Sequence, residues 1–241
     1  MKSLISSLSL KTMPLSVAGV FLGGLLAVAD YHVHWGVVLC VVLTAASLHV
    51  FQHAGNKMAL VPSVVCAVLS VYLSFGKIFV LESLLLLLFA YFIMRFARGF
   101  LSGGRDRVAD AAVFVFLTGP VAVFGTFYLC SHSFGSWVLL FPALSTGILA
   151  AATAGLSDGF SKVTVMSLTI AGLVMMSIYP FLRIYDSAHY RFAVMIPLYI
   201  MLLVKMGVDK ARTPDSYQSL FAFCLLTLAV VTGLGYVTYL L

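Results

Sequence analysis

Ionisable side chains are scarce in this chain, and the few inside or beside its long apolar runs are where chemistry could sit. A charged group within a bilayer is costly, so it is kept where it functions or is paired. Glu82 lies one turn inside an apolar run and could pair with Lys77 or face a partner helix. His49 and His53 stand four residues apart, which puts both imidazoles on one helical face at a spacing a metal could use. No carboxylate follows them, and His132 and His189 fall on the far side, so hydrogen-bonded polar caps at an interface are expected instead. His32 and His34, with Tyr31 and Trp35, read as an aqueous loop with an aromatic anchor. Gly103-Gly104 beside Arg105 and Arg107 reads either as a contact for an anionic head group or as a flexible basic loop. Cys40, Cys66, Cys130 and Cys224 are dispersed with no C-x-x-C, which fits small buried apolar residues rather than disulfides or zinc. No Walker loop, G-x-G-x-x-G, H-E-x-x-H or G-x-S-x-G is present, and no paired broken helices of the transporter kind.

The elements that must position these groups follow from composition. The 241 residues are 62% apolar and 9% charged, with 14 Lys+Arg against 8 Asp+Glu, and mean hydropathy is +1.11. Ordinary soluble domains carry roughly 25% charged residues. So few charges cannot cover a water-exposed surface, which excludes a soluble enzyme and disorder alike. A helix crosses the hydrocarbon core with about 20 apolar residues. Nine such windows occur: 14–29, 35–51, 58–75, 78–95, 109–130, 136–155, 162–183, 190–206 and 218–240. They lack the period-2 alternation of a barrel strand, and runs such as Leu84 to Leu88 are unbroken. The expected fold is all-α, a polytopic bundle of nine transmembrane helices forming one domain over 1–241, with no room for an extramembrane domain. Lys2, Lys11 and Ala27-Val28-Ala29 before Asp30 imitate a secretory signal, but eight more apolar windows favour an uncleaved first span.

Lys and Arg set the orientation. With a cytoplasmic amino terminus the inner side holds Lys2, Lys11, Lys57, Arg95, Arg98, Arg105, Arg107, Lys162, Lys205, Lys210 and Arg212. The outer side holds only Lys77, Arg183 and Arg191. The formal charge of +6 is therefore a cytoplasmic-face bias that attracts anionic lipid and implies no nucleic acid. The chain reads as an integral membrane protein, of a bacterial inner membrane, with its carboxyl terminus outside.

Two stretches resemble a known family. Leu10-Lys11-Thr12-Met13-Pro14-Leu15-Ser16-Val17-Ala18-Gly19-Val20, followed by Gly23 and Gly24, is similar to the entry into the first helix of the 1,4-dihydroxy-2-naphthoate prenyltransferases. Val113-Phe114-Val115-Phe116-Leu117-Thr118-Gly119-Pro120-Val121-Ala122-Val123-Phe124-Gly125-Thr126-Phe127-Tyr128 resembles their fifth helix more specifically. These enzymes, which act in menaquinone synthesis, belong to the UbiA superfamily of intramembrane prenyltransferases, with nine helices and a cytoplasmic active-site mouth. The resemblance implies two Asp-rich motifs, after the second and sixth helices, whose carboxylates hold Mg²⁺ on the diphosphate of a prenyl donor. The metal neutralises the charge that develops as diphosphate leaves. Here Asn56 matches the family's Asn, but the next position, where Asp is implied, is Lys57, and the Asp implied three residues later is Leu60. The second motif is Ala154-Gly155-Leu156-Ser157-Asp158-Gly159-Phe160-Ser161-Lys162, with one carboxylate. The cap-forming loops after both motifs are missing too, since the next windows start almost at once.

The leading expectation is a catalytically reduced relative, a pseudoenzyme that keeps an isoprenoid or anionic-lipid cavity, with no catalytic residue and no metal. Its head-group site would be Asn56, Lys57, Arg105, Arg107, Asp158 and Lys162, and its ligands membrane lipids, a prenyl diphosphate or a quinone. The alternative is an active, divergent aromatic prenyltransferase, which would need metal-free ionisation, or Mg²⁺ held by ligands such as Asp106, Asp110 and Asp158 recruited from different loops. A non-catalytic scaffold subunit bound to a membrane-protein partner is a third reading, and a transporter a fourth. The topology makes a direct prediction. Reporter fusions placed after Gly104 and after His132 are expected on opposite sides of the membrane, and the same side for both would break the fifth span.

Overall fold

The computed structural model describes residues 12–31, 34–54, 57–77, 81, 83, 84, 87, 88, 91, 107–157, 160–182, 193–209 and 214–237. Among the described residues every element is helical. They are α1 (Met13–Asp30), α2 (Trp35–Ala54), α3 (Leu60–Phe75), α4 (Arg107–Phe116), α5 (Ala122–Ser131), α6 (Leu140–Gly155), α7 (Lys162–Leu182), α8 (Met195–Val208) and α9 (Gln218–Val237). Single 3₁₀ turns, Lys57–Ala59, Trp137–Leu139 and Pro214–Tyr217, lead into α3, α6 and α9. α4 and α5 are one rod joined by a π turn, so eight of the nine apolar windows coincide with a described rod. The fourth window, with Glu82, lies largely outside the described residues.

The segments Lys57–Phe75, Ala111–Ser131, Trp137–Gly155 and Lys162–Tyr179 are each long and apolar enough to cross a membrane. The surface agrees with that composition, because apolar side chains such as Leu39, Val64, Ile170, Val174, Ile200 and Phe223 point outward. Small hydroxyl side chains lie inside, including Ser63, Ser70, Ser145, Thr146, Thr153 and Thr169. Most return their proton to a carbonyl four residues back: Thr146 to Pro142, Thr153 to Leu149 and Thr169 to Val165, each within 2.8 Å. Where no water reaches the interior, that local bond lets a polar side chain be buried without an orphaned group.

The fifth window was expected as a plain helix, and the structure interrupts it. At Leu117–Val121 the α-helix widens into a π turn containing Pro120. Proline has no N–H to offer the carbonyl four residues back, and its ring crowds that carbonyl. The ladder resumes when the Ala122 N–H reaches Leu117 O, five residues back.

Glycines set the spacing of the rods around this turn. A Cβ on Gly19 of α1 would run into the Thr118 carbonyl, and one on Gly23 into that of Val123. On the other side, Gly119 abuts the Ala143 carbonyl of α6, and Gly147 of α6 abuts that of Val115. These are close backbone crossings of the small-xxx-small kind, which membrane helices favour because lipid supplies no hydrophobic drive between them. α1 also packs on α9 and α2, and α6 on α7 and α9. α6 is accordingly the most buried rod, whereas α3 sits at the edge against α2 and α5. Gly147→Leu is expected to cost about 2–3 kcal/mol by overpacking the α4–α6 crossing. Gly125, whose Cβ direction is open, should accept Ala with a gain of about 0.5–1 kcal/mol. Thermal melts of both variants in detergent check the contrast.

Candidate functional site

Hydrogen bonds between neighbouring rods show that the bundle has two unlike ends. At one end Tyr31 Oη donates to Ser133 Oγ at 3.4 Å, joining the end of α1 to the turn after α5. His132, in the left-handed region at φ 57°, closes α5. Its Nε2 donates to Ser74 O at 2.8 Å, while Ser74 Oγ donates to Leu129 O at 2.5 Å, so α3 and α5 finish together. Tyr31, Trp35, Phe134 and Trp137 are exposed here, with Tyr128 stacked on Phe134. Exposed aromatics at one level of an apolar bundle form the belt that marks a membrane interface. His34 is exposed at this end, as an aqueous loop requires, while His32 and His189 lie outside the described residues.

The opposite end carries Lys57, Lys162 and Lys205, whereas Lys77 stands exposed at the aromatic end. Buried His49 of α2 is held from both sides by α1: Ser16 Oγ lies 2.8 Å from Nδ1, and Thr12 Oγ1 lies 3.3 Å from Nε2. Thr12 and Ser16 are one helical turn apart, so their hydroxyls reach the two ring nitrogens together. A neutral ring donates through one nitrogen and accepts at the other, and hydroxyls can answer both. A metal at either nitrogen would have to displace a hydroxyl. His49 is thus a joint between α1 and α2, and the side chain of His53 lies outside the described residues.

Of the expected head-group residues, Lys57 stands exposed at the 3₁₀ turn between α2 and α3, beside exposed Met58. Asn56, Arg105 and Asp158 lie outside the described residues, as does Asp106. Arg107 is the first residue of α4 and Asp110 lies one turn on, both placed by backbone alone. Lys162, the first residue of α7, is engaged locally, since its Nζ donates to Met206 O at 3.0 Å and to Asp209 O at 2.9 Å. Those carbonyls are the open end of α8, where the helix dipole favours a cation.

Around Lys162 the structure gathers residues that sequence reasoning did not single out. Tyr217 Oη, almost fully buried, donates to Asp209 Oδ2 at 3.0 Å, and Gln218 Nε2 donates to Ser157 Oγ at 2.9 Å. The turn after α6, the start of α7, the end of α8 and the start of α9 are thereby tied into one polar cluster. Each member is an ordinary polar residue at a helix end, up to 61 positions from its partner, so no local motif announces it. The cluster has a cation, a carboxylate and a phenol, but nothing that assembles an oxygen-rich metal cage. Among the described residues no three His, Cys, Asp or Glu side chains come together.

No protein-family model, no curated protein and no solved structure matches the chain. The Lys162 contacts yield a prediction of their own. Lys162→Met keeps the aliphatic stem but frees the α8 carbonyls, and should cost about 1 kcal/mol, the low end for a charge-assisted bond at a partly exposed site. Hydrogen exchange should quicken at the Asp209 amide, which bonds Lys205 O, and stay unchanged in α6.

Proposed function

We propose that this chain is a UbiA-like bundle of nine membrane spans that has lost diphosphate chemistry and keeps an amphiphile-binding mouth at its cation-bearing end. That end would face the cytoplasm, as the distribution of Lys and Arg requires. The observation that carries the reading is Lys57. It replaces a carboxylate that the resemblance assigns to Mg²⁺, and its exposed ammonium has no hydrogen-bond or ion-pair partner among the described residues. A lysine there repels the divalent cation and attracts the anion that the cation would have bridged.

We read the resemblance as one of frame rather than of chemistry. Its two stretches face each other across the crossing where Gly19 and Gly23 meet Thr118 and Val123. These residues serve backbone packing, and such packing can outlast the loss of a catalytic site. The mouth would bind its ligand through Lys57 as a point charge, with Arg105 and Arg107 as bidentate forks and Asn56 and Asp158 completing the polar rim. Lys162, already bonded to α8, would shape that rim through the cluster it holds.

Two measurements test the reading. Purified protein incubated with prenyl diphosphate, 1,4-dihydroxy-2-naphthoate and Mg²⁺ should give no prenylated product. Turnover abolished by Asp158→Ala would overturn the loss of catalysis and favour the active alternative. Lys57→Glu should lower retention of a bound anionic amphiphile in native mass spectrometry while leaving a neutral quinone unaffected. An unchanged lipid inventory would reduce Lys57 to a feature of the cytoplasmic edge.

A further inference from the structure

The joint between α1 and α2 also sets a hydroxyl against an imidazole. Ser16 Oγ lies 2.8 Å from His49 Nδ1, a separation at which a general base takes a proton from a nucleophile. Thr146, Thr153 and Thr169 turn their hydroxyls to their own helix, whereas Ser16 turns its own to a ring nitrogen of another rod. His49 is buried and Ser16 only partly so, which shields the base and leaves the nucleophile nearer the surface. On the other side of the ring, Thr12 Oγ1 lies 3.3 Å from Nε2 and can accept its proton. With the proton there, Nδ1 presents its lone pair to Ser16.

The start of α1 supplies a place for negative charge. Threonine at a helix N-cap ordinarily accepts from an amide of the first turn. Thr12 holds that position without capping, its hydroxyl being turned to His49. The first amide of α1, that of Met13, has no acceptor within the helix and lies one turn before Ser16. An oxyanion formed on a carbonyl attacked by Ser16 would develop beside this positive pole. Depth selects the substrate. Ser16 lies about 5 Å inside the end of α1, at the level where head groups give way to acyl chains. Glycerolipids carry their carboxylic esters at that level.

We propose that Ser16 and His49 form an acyl-transfer dyad that cleaves a carboxylic ester of a membrane glycerolipid. Ser16 Oγ attacks the acyl carbonyl as its proton passes to His49 Nδ1. The C–O bond to the glycerol breaks, the departing oxygen takes that proton, and the acyl group remains on Ser16. Water, deprotonated by the same nitrogen, then releases the fatty acid. Ser16 and His49 are the catalytic residues, and Thr12 is a positioning residue. No step uses Lys57, Mg²⁺ or a prenyl group, so the dyad stands or falls apart from the reading above.

The full-length protein in detergent is treated with an octyl fluorophosphonate and digested for mass spectrometry. An adduct on Ser16 is expected. His49→Asn keeps an acceptor near the place of Nδ1, and so the joint, but should slow labelling about a hundredfold, the low end for general-base catalysis. Thr12→Val should slow it about tenfold, the worth of one hydrogen bond, and Thr12→Ser should restore it. With dioctanoyl phosphatidylglycerol, octanoate should be released by the unmodified protein and not by Ser16→Ala. No adduct on Ser16, undiminished labelling of His49→Asn, or the absence of Ser16-dependent octanoate release would overturn the proposal. Adduct mapping and ester cleavage by the unmodified protein decide it even if a variant fails to fold.

Discussion

Contact between backbones at a few glycines governs the arrangement of this bundle. Gly19 and Gly23 let α1 reach the carbonyls of Thr118 and Val123, and Gly119 and Gly147 do the same between the π turn, α4 and α6. Any side chain at these places would hold the rods apart by its own width. In a medium as apolar as the side chains, attraction depends on how closely surfaces fit, so separation is the quantity that matters. With α1, the α4–α5 rod and α6 drawn together, α9, α7 and α2 pack around them, and α3 remains at the edge.

The π turn belongs to the same constraint. Pro120 breaks a hydrogen bond within the rod that must approach its neighbours most closely. The wide turn re-forms the ladder one residue late, and Gly119 sits where α6 comes in. Local irregularity and close approach therefore occupy one segment. Those residues report a way of packing helices. They carry no carboxylate, and a packing motif can persist under any chemistry or none.

Polar groups appear in two settings with different physics. Along the rods, hydroxyls such as those of Thr146, Thr153 and Thr169 bond their own helix, while Ser145 reaches across to Gly172 O of α7. At the rod ends, carbonyls and amides lack helical partners, and long side chains from other rods supply them. Lys162 on the end of α8 and His132 between α3 and α5 act in this way, while His49 ties α2 to the start of α1 through the side-chain hydroxyls of Ser16 and Thr12. Ionisable residues in a membrane protein are natural candidates for function, yet these three all join helices. Lys57 and Lys205 differ: both are exposed, and neither has a side-chain partner among the described residues.

Composition and window length determined the all-helical class and placed the rods, because the need to satisfy every backbone group internally leaves apolar stretches of this length one regular structure. The same constraint made the ends of those rods legible to within a few residues. The positions of Lys57 and Leu60, where the proposed resemblance implies carboxylates, were likewise readable without coordinates. Which polar residues meet was decided by tertiary structure alone. Ser16 and His49 are 33 residues apart, and Lys162 and Asp209 are 47 apart. No periodicity encodes such a distance, because partners at rod ends depend on which rods the glycine crossings have made neighbours. Spacing put His49 and His53 on one face and pointed to hydrogen-bonded caps, and the fold supplied the partners of His49, Ser16 and Thr12 at the start of α1. Charge suggested that Lys162 belonged to a ligand, and the open end of α8 already held it.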